Sequence, residues 1–578
     1  MNKNISTSYR KLVVGLALTL GLTACGDGSN GGSAPSGTPV SEGQIEANNI
    51  AFYKNQVGYL PAQQKLIVVR TDTPVEYKVR NMNTAETVFT SVTSLPAYWS
   101  LADETVSVAD VSSITAAGQY RLELTDSDDY TAFNVSLERV EAMHDASIKA
   151  FYYNRASLAL DPAFAGKWQR EAGHPDTYVL NLNDPNQILS SPKGWYDAGD
   201  YNKYIVNSGI STYTLMRAYL DFPAFYGERT WNIPESSNSR PDLLDEVSWN
   251  LDWMLTMQDT DGGVFHKLTT LNFAPDVMPA AANEQRYVVD KGTAATLNFA
   301  GVMATAARVY PDMAGTYLSA AEEAWQWAIT HPHIPFVNPE NVATGEYGDN
   351  EFNDEFAWAA AELYLTTGNQ DYLTTMDNNL GPVSTPGWSN SMGLAYLSLL
   401  SSEGQSDLSN QRYAALKARF LDYATKLAEQ SQSSPFRVAM TRHDFVWGSN
   451  GVAMNHAMML AKAFELSKDK AYLEAMTALI DYVSGKNPTG YSFVTGHGEQ
   501  TPMFIHHRQS HADDIAEPVP GFLAGGPQNG QQDNCTYSSS LPATSYLDDW
   551  CSYSTNEVTI NWNAPLVYSV AASLNFNR

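Results

Sequence analysis

The sequence predicts two folded parts, a small all-β sandwich followed by a much larger all-α domain. Short apolar or alternating runs, separated by Pro, Gly, Asn and Asp, fill the stretch from about Ile50 to Val135. From Leu137 onward, apolar residues recur at helical spacing. A chain of 578 residues is several times longer than one core needs. We therefore place the sandwich at residues 47–136 and the helical domain at residues 137–578.

The first 24 residues have the features of an export signal. Lys3, Arg10 and Lys11 form a basic start, and the apolar run from Leu12 to Leu22 follows it. This run is too short for a convincing membrane span. We therefore expect residues 1–24 to be a signal peptide.

The segment Leu22-Thr23-Ala24-Cys25 resembles the bacterial lipobox. That resemblance implies cleavage before Cys25 and a lipid on its sulfur. Residues 25–46 are rich in Gly, Ser and Pro, which is typical of a flexible tether. Gly26 follows the cysteine where inner-membrane lipoproteins carry Asp. We expect an exported protein, lipid-anchored to the bacterial cell envelope at the outer membrane or cell surface.

The formal charge of the chain is -28 at pH 7. Such a surface repels phosphate backbones, so a nucleic-acid partner is excluded. The acidic balance fits a soluble surface, or a groove for a neutral or cationic substrate. The chain also contains 13 Trp and 32 Tyr, whose flat rings stack on sugar faces as well as packing in cores.

Cys535 and Cys551 are the cysteines that follow Cys25 in the sequence. In an oxidising compartment they can form a disulfide, and two free thiols are the alternative. Their spacing contains no C-x-x-C pair, so a cysteine zinc site is not indicated.

The β region contains no cluster of catalytic residue types, so we expect a packing or stabilising role for it. Its predicted strands are Lys65 to Val69, Glu76 to Val79, Thr105 to Val108 and Gln119 to Leu124.

For the helical domain we favour a barrel of paired helices, although the periodicity of the apolar residues equally permits a solenoid. Long loops rich in Gly, Asn, Pro and aromatic residues, such as His174 to Asp200 and Gly485 to Thr555, indicate function. The predicted helices are Leu137 to Tyr153, Pro241 to Gln258, Thr293 to Val309, Thr316 to Thr330, Glu355 to Thr366, Asn390 to Leu400, Asn410 to Gln430, Val452 to Leu466 and Ala471 to Val483.

Two carboxylates lie three residues apart in the aromatic segment from Gly194 to Tyr204. Gly199 between Asp197 and Asp200 permits a tight backbone path, so both side chains can point at one spot. One carboxylate can then hold a water molecule while the other removes its proton. A calcium site or a helix cap is the alternative for such a pair.

Glu557 lies among apolar and aromatic residues, which can raise the pKa of its carboxyl so that it serves as an acid. A helix cap or a salt bridge is the alternative. Upstream, His506 and Arg508 offer donors for sugar hydroxyls or for a carboxylate. A metal site at His506, His507 and His511 is the alternative, although no H-E-x-x-H spacing is present.

Together these segments resemble glycoside hydrolase family 9, a cellulase family whose catalytic domain is an (α/α)6 barrel. In many members an immunoglobulin-like domain precedes the barrel, and the segment from Asn55 to Pro61 resembles its opening. Gln500 departs from the family pattern, which usually has Asn, Lys or Arg there. The matching positions are Ser492 to Thr495, Gly498, His506, Arg508, Tyr546, Asp548, Tyr553, Glu557, Thr559, Asn563 and Ala564.

The resemblance implies roles for individual residues. Asp200 would be the base, Asp197 would help to hold the water, and Glu557 would be the proton donor. No cofactor is required for this chemistry, although a structural calcium ion is expected at Asn350, Asp354 and Glu355, where an acidic helix N-terminus is the alternative. The remaining assignments are His506 and Asp548 in the active-site signatures, with Arg508, His266, Trp447, Tyr553 and Tyr201 in substrate binding.

We therefore expect an inverting hydrolase of β-1,4-glucosidic bonds in cellulose, cellodextrins or related β-glucans. An exo-acting cellodextrinase or cellobiosidase is an alternative, with the segment from Trp168 to Ser191 as the candidate that blocks one end of the groove. A glucosaminidase acting on chitosan oligomers is another alternative. A non-catalytic carbohydrate-binding lipoprotein and a metal-dependent hydrolase are the competing classes.

Overall fold

The computed structural model describes residues 51–577. The expected signal peptide, Cys25 and the tether lie outside the described residues. Among the described residues, no helix has the length and apolar character needed to cross a membrane.

Eight strands form the N-terminal domain, and five more lie within the helical domain, as far as the described residues extend. The strands are β1 Phe52–Tyr53, β2 Leu66–Arg70, β3 Glu76–Asn81, β4 Thr87–Val92, β5 Ala97–Trp99, β6 Glu104–Asp110, β7 Gly118–Leu124, β8 Tyr130–Val135, β9 Val179–Asn181, β10 Ile188–Leu189, β11 Lys203–Tyr204, β12 Phe265–Thr269 and β13 Tyr287–Lys291.

The N-terminal domain is a β-sandwich of two antiparallel four-stranded sheets, with strand orders β1-β2-β6-β5 and β4-β3-β7-β8. Alternation along β2 explains why its first four residues, Leu66 to Val69, are all apolar. Ile67 and Val69 face the interior of the sandwich, whereas Val68 packs into the large core shared with the helices. Trp99 joins that shared core and lies against Phe436, with ring centroids 4.6 Å apart. The sandwich therefore shares one hydrophobic core with the helical domain.

The helical domain contains most of the chain, and the predicted small sandwich followed by a large helical domain is confirmed. Its helices are α1 Leu137–Tyr153, α2 Pro162–Ala165, α3 Ile205–Asp221, α4 Pro223–Tyr226, α5 Asp242–Thr256, α6 Thr293–Val309, α7 Ala314–Thr330, α8 Asn353–Thr367, α9 Gln370–Asn379, α10 Met392–Leu399, α11 Ser402–Asp407, α12 Asn410–Ser433, α13 Ser449–Ser467, α14 Lys470–Val483, α15 Arg508–Ala512, α16 Tyr553–Asn556 and α17 Ile560–Phe576.

Six helices contact one another in a closed sequence. Helix α3 packs on α6, α6 on α8, α8 on α10, α10 on α13, α13 on α17, and α17 returns to α3. Helices α1, α5, α7, α9 and α14 each pack on one or two of these six. The six are buried nearly all round, which suits the small and apolar side chains along α6 and α10.

A five-stranded sheet with order β10-β9-β13-β12-β11 is inserted in the helical domain, and sequence periodicity did not predict it. Its strands have two to five residues, too few to show a period within a long loop. The sheet holds the end of the long loop that carries Asp197 and Asp200, because β11 begins at Lys203 and pairs with β12.

The start of the sandwich holds a loop of the helical domain. The Gln56 side chain accepts hydrogen bonds from the backbone N–H groups of Glu499 and Gln500, both at 2.9 Å. The Asn55 side chain donates to Asp481 at 2.7 Å, and Asp481 is buried. These bonds fix the loop at residues 484–500, which leads directly to His506.

Candidate active site

Three loops meet at one end of the helical domain: residues 194–204, residues 505–511 and residues 546–560. The Gly199 carbonyl accepts from the backbone N–H of Arg508 at 3.1 Å, and the Asp197 carbonyl accepts from the N–H of Ile560 at 2.9 Å. The backbones of His506 and Glu557 form a bridge, and the Glu557 carboxyl lies near enough to Asp197 and Asp200 for their charges to affect it. Asp197, Asp200 and Glu557 are therefore brought together from distant parts of the chain.

The position of Gly199 requires the absence of a side chain. A Cβ placed there would overlap the carbonyl oxygen of His506. Glycine is needed here because the backbones of residues 199 and 506 approach each other closely. This packing explains the tight backbone path expected between Asp197 and Asp200.

The two aspartates differ in how their oxygens are engaged. Asp200 is buried and accepts hydrogen bonds on Oδ2, from Asn202 at 2.6 Å and from the Tyr204 hydroxyl at 3.0 Å. Asp197 accepts on both oxygens, from Asn207 on Oδ1 and from the Tyr347 hydroxyl on Oδ2 at 2.7 Å. This difference makes Asp200 the better placed of the two to accept a proton from water.

Burial raises the pKa of the Asp197 carboxyl well above its usual range, and the negative charge of Asp200 adds to the rise. Two neighbouring carboxyl groups in a buried site do not both ionise readily. The pair can therefore hold a water molecule between a carboxylic acid and a carboxylate.

Glu557 follows the short helix α16 and precedes α17. Its backbone forms a parallel bridge with His506, and its carbonyl accepts from Gly525 N–H at 2.8 Å. Burial, together with the charges of Asp200 and Asp197, raises the pKa of its carboxyl to about 8. A carboxyl group with this pKa keeps its proton at neutral pH and can donate it.

Asp548 ties two loops together. Its Oδ1 accepts from Phe504 N–H at 2.9 Å and from the Asn556 side chain at 3.0 Å, and its Oδ2 accepts from Met503 N–H at 2.8 Å. Asn556 directly precedes Glu557. These contacts describe a group that orients the backbone around Glu557.

A row of aromatic rings adjoins this site through His506, whose Nδ1 bonds to the Trp550 carbonyl at 2.9 Å. We call it the aromatic row, and it consists of Trp447, Tyr553, His506, Trp550 and His511. Successive ring centroids along it are 5.6, 5.6, 4.3 and 4.2 Å apart. Trp447 is 40% exposed, so the row is open to a ligand at one end.

Three residues expected to bind substrate make contacts within the protein. Arg508 Nη1 donates to the Gly199 carbonyl at 2.8 Å, and its Nε donates to the Ala274 carbonyl at 2.9 Å. His266 is buried, stacked on Phe336 at 3.7 Å. The Tyr201 hydroxyl donates to the Val277 carbonyl at 2.8 Å, and its ring is buried. Their substrate-binding roles stay predictions.

Sequence reasoning missed the groups that surround the aspartates. Tyr347 lies in the loop before α8 and Asn207 lies in α3, yet both bond to Asp197. Lys267, in β12, donates to the Gly345 carbonyl at 2.7 Å and to Asn338 at 2.6 Å. Burial lowers the pKa of Lys267 to about 7, against the opposing charge of Asp200. No spacing in the sequence links these positions to Asp197 or Asp200.

No group of three or more His, Cys, Asp and Glu side chains within residues 51–577 is arranged to hold a metal ion. Asp354 and Glu355 form an acidic pair at the start of α8. Both oxygens of Glu355 are buried without a hydrogen-bond partner, and burial with the charge of Asp354 raises its pKa well above the usual range. Asn350 is exposed, and its backbone N–H donates to Asp349 at 2.6 Å. Of the three predicted calcium ligands, Asp354 and Glu355 are therefore buried next to each other, whereas Asn350 is exposed.

Cys535 and Cys551 are joined by a disulfide bond, with their Cα atoms 6.1 Å apart. The bond closes part of the long loop that ends at Glu557.

A β-sandwich followed by a large helical domain, with clustered carboxyl groups beside exposed rings, defines a hydrolase of carbohydrate chains. Residues 141–570 match the glycosyl hydrolase family 9 model, and residues 51–129 match the cellulase N-terminal immunoglobulin-like domain. The chain belongs to glycosyl hydrolase family 9 and is a glycoside hydrolase with an immunoglobulin-like N-terminal domain.

Individual relatives agree with this assignment. The chain is 40% identical over 553 residues to the xyloglucan-specific endo-beta-1,4-glucanase BoGH9A of Bacteroides ovatus, covering 91% of this chain and 94% of that one. It is 32% identical over 567 residues to endoglucanase D of Acetivibrio thermocellus, covering 94% and 88%. A solved structure of a Bacteroides ovatus family 9 enzyme superimposes with a TM-score of 0.85 at 38% identity, covering 91% of this chain and 99% of that one.

Proposed function

We propose that the protein cleaves β-1,4-glucosidic bonds in glucan chains with inversion and acts within the chain. Asp200 removes a proton from water, Asp197 helps to hold that water, and Glu557 protonates the leaving oxygen. The observation that carries the proposal is the meeting of two distant segments: the Ile560 N–H donates to the Asp197 carbonyl, and the nearby charges of Asp200 and Asp197 help to raise the pKa of the Glu557 carboxyl. Endo action is supported by the similarity to the Bacteroides endo-beta-1,4-glucanase and to endoglucanase D of Acetivibrio thermocellus.

The closed sequence of contacts from α3 through α6, α8, α10, α13 and α17 supports a barrel architecture. We propose that these are the six inner helices of an (α/α)6 barrel. The loops that carry Asp200 and Glu557 then open at one end of that barrel, because they precede α3 and α17, and the Asp197 carbonyl accepts from the N–H of Ile560 at the start of α17.

Stereochemistry of the first product tests the mechanism. Hydrolysis of cellohexaose, followed by proton NMR, is expected to release the α-anomer first, because water attacks the face opposite the β-linked leaving group. Xyloglucan oligosaccharides belong in the same assay, since the Bacteroides relative is named for xyloglucan. Early release of the β-anomer would rule out inversion, and a slow loss of viscosity of carboxymethylcellulose relative to sugar release would rule out endo action.

We propose that Asp354 and Glu355 hold a structural calcium ion. The two buried, unpartnered oxygens of Glu355 support this, since hard oxygen ligands suit Ca²⁺ and an unpaired buried carboxylate is costly. Backbone carbonyls and water would complete the coordination. The ion would stabilise the start of α8, and no step of hydrolysis involves it.

Calcium is expected to raise the Tm of the wild-type protein by about 2–4 °C at saturating concentration, because it binds the folded state alone. The rise is expected to disappear in Glu355→Gln, with kcat unchanged. Glu351→Gln, at an exposed neighbouring position, serves as the matched control and should keep the rise. An equal calcium response in wild type and Glu355→Gln, measured by scanning calorimetry, would exclude this site.

We also propose export and lipid attachment at Cys25, at the outer membrane or cell surface. The basic start, the apolar run Leu12 to Leu22 and the segment Leu22-Thr23-Ala24-Cys25 support this. The mass of the mature N-terminal peptide tests it, because a diacylglycerol on Cys25 changes that mass and an unmodified cysteine does not.

A further inference from the structure

The part of the chain that supplies Trp550 and Tyr553 to the aromatic row has little regular structure. The structure describes every residue between the end of α15 at Ala512 and the start of α16 at Tyr553. These residues form no helix and no named strand. A segment of this kind lacks the repeated backbone hydrogen bonds that keep side chains in place. Other contacts must therefore hold the rings of the row where they are.

The Cys535–Cys551 disulfide lies within this irregular segment. Cys551 directly follows Trp550 and comes two residues before Tyr553, and its partner Cys535 is 16 residues earlier. Cys551 is exposed at the surface, so the bond adds little buried area. Its effect on the row must therefore come from connecting the two ends of the loop.

Hydrogen bonds next to the disulfide join the same two segments. Asp533 accepts from the Ser554 N–H at 3.1 Å, and the Tyr537 hydroxyl bonds to the Ser552 hydroxyl at 2.6 Å. Asp533, Ser552 and Ser554 are buried, so these bonds are shielded from water and act together with the covalent link. The covalent bond keeps their partners together.

We propose that the Cys535–Cys551 disulfide is a positioning element for substrate, which holds Trp550 and Tyr553 in the arrangement that binds a glucan chain. The inference rests on the proposed function. With the bond in place, the rings are ordered before the sugar arrives. Without it, substrate binding must order the loop, and the cost of ordering weakens binding.

The catalytic carboxyl groups depend on other contacts. The Gly199 carbonyl accepts from the Arg508 N–H, and the Asp197 carbonyl accepts from the Ile560 N–H. Neither bond involves residues 535–551, and Asp548 within that range is held by the backbone N–H groups of Met503 and Phe504. Because the ground state and the transition state use the rings alike, loss of the disulfide is expected to raise KM and to leave kcat nearly unchanged.

The test compares the wild-type protein with Cys535→Ser/Cys551→Ser, using cellohexaose as substrate. We expect a KM about tenfold higher in the double variant, with kcat within about twofold, corresponding to the ordering cost of one or two side chains. Dithiothreitol should produce the same KM in the wild-type protein, since its two thiols close to a ring disulfide while Cys535 and Cys551 each take up one hydrogen. Reoxidation should restore the original KM.

Two controls separate this effect from others. The double variant itself should be insensitive to dithiothreitol, which excludes an action of the reductant elsewhere. Assays at least about 15 °C below the Tm of the variant keep global unfolding out of the comparison.

Each outcome has a definite meaning. An unchanged KM in the double variant, or a fall in kcat with KM unchanged, overturns the positioning inference and leaves the proposed function standing. An oxidised wild-type protein that turns over neither cellohexaose nor any other β-1,4-glucan overturns the proposed function, and the inference with it.

Discussion

Glu557→Gln is expected to lose about a hundredfold or more in kcat on cellohexaose, the range expected when a general acid is removed. Glutamine keeps the size of the side chain and cannot donate a proton as an acid. On a 2,4-dinitrophenyl cellobioside, whose leaving group departs without protonation, the variant is expected to retain most of its turnover. Steady-state kinetics on the two substrates measure this contrast.

The pH profile provides an independent control for Glu557. Because burial and the two aspartates raise its pKa to about 8, the acid stays protonated below that pH and wild-type activity should fall as the pH rises through 8. That alkaline fall should be absent from Glu557→Gln on the dinitrophenyl substrate. Asp549→Asn, exposed in the same loop, should behave as wild type. Near-normal turnover of cellohexaose by Glu557→Gln would remove Glu557 from the proposed role.

Asp200→Asn is expected to lose about a hundredfold or more on both substrates, because neither leaving group helps to remove a proton from the attacking water. This failure on the dinitrophenyl substrate distinguishes a lost base from a lost acid. Asparagine can keep the contacts with Asn202 and Tyr204, so the fold should be maintained. Kinetics on both substrates, with circular dichroism to check folding, measure the effect.

Tyr204→Phe is the matched control for Asp200. It removes one of the two hydrogen bonds to Oδ2 and keeps the ring, so its loss of kcat should be clearly smaller than that of Asp200→Asn. Recovery of activity by Asp200→Asn on the dinitrophenyl substrate would mean that Asp200 does not activate water.

The sequence located the carboxyl groups of the candidate site better than the residues around them. Asp197, Asp200 and Glu557 stand in short motifs whose residue types suit acid–base work, and the structure brings them together. Tyr347 and Asn207 could not be found in this way, because their contact with Asp197 depends on how a loop and a helix pack in three dimensions. For His266, the family resemblance suggested a substrate contact, whereas the fold stacks its ring on a phenylalanine in the interior.

The fold shows the same division between local pattern and tertiary packing. The predicted helix from Thr293 to Val309 coincides with α6, because an isolated apolar pattern of that length is clear. Helices α3 and α17 were missed: they are buried nearly all round, so their sequences lack a polar face that would mark the period.

The contacts of Asn55 and Gln56 have a consequence for how this enzyme can change over evolution. A domain that supplies hydrogen bonds to Asp481 and to the 499–500 backbone cannot be exchanged freely for another N-terminal module. Its removal would leave the Asp481 carboxyl and the two backbone amides without these partners, on the path to His506. A substitution of Asn55 or Gln56 is therefore expected to affect the helical domain as well as the sandwich.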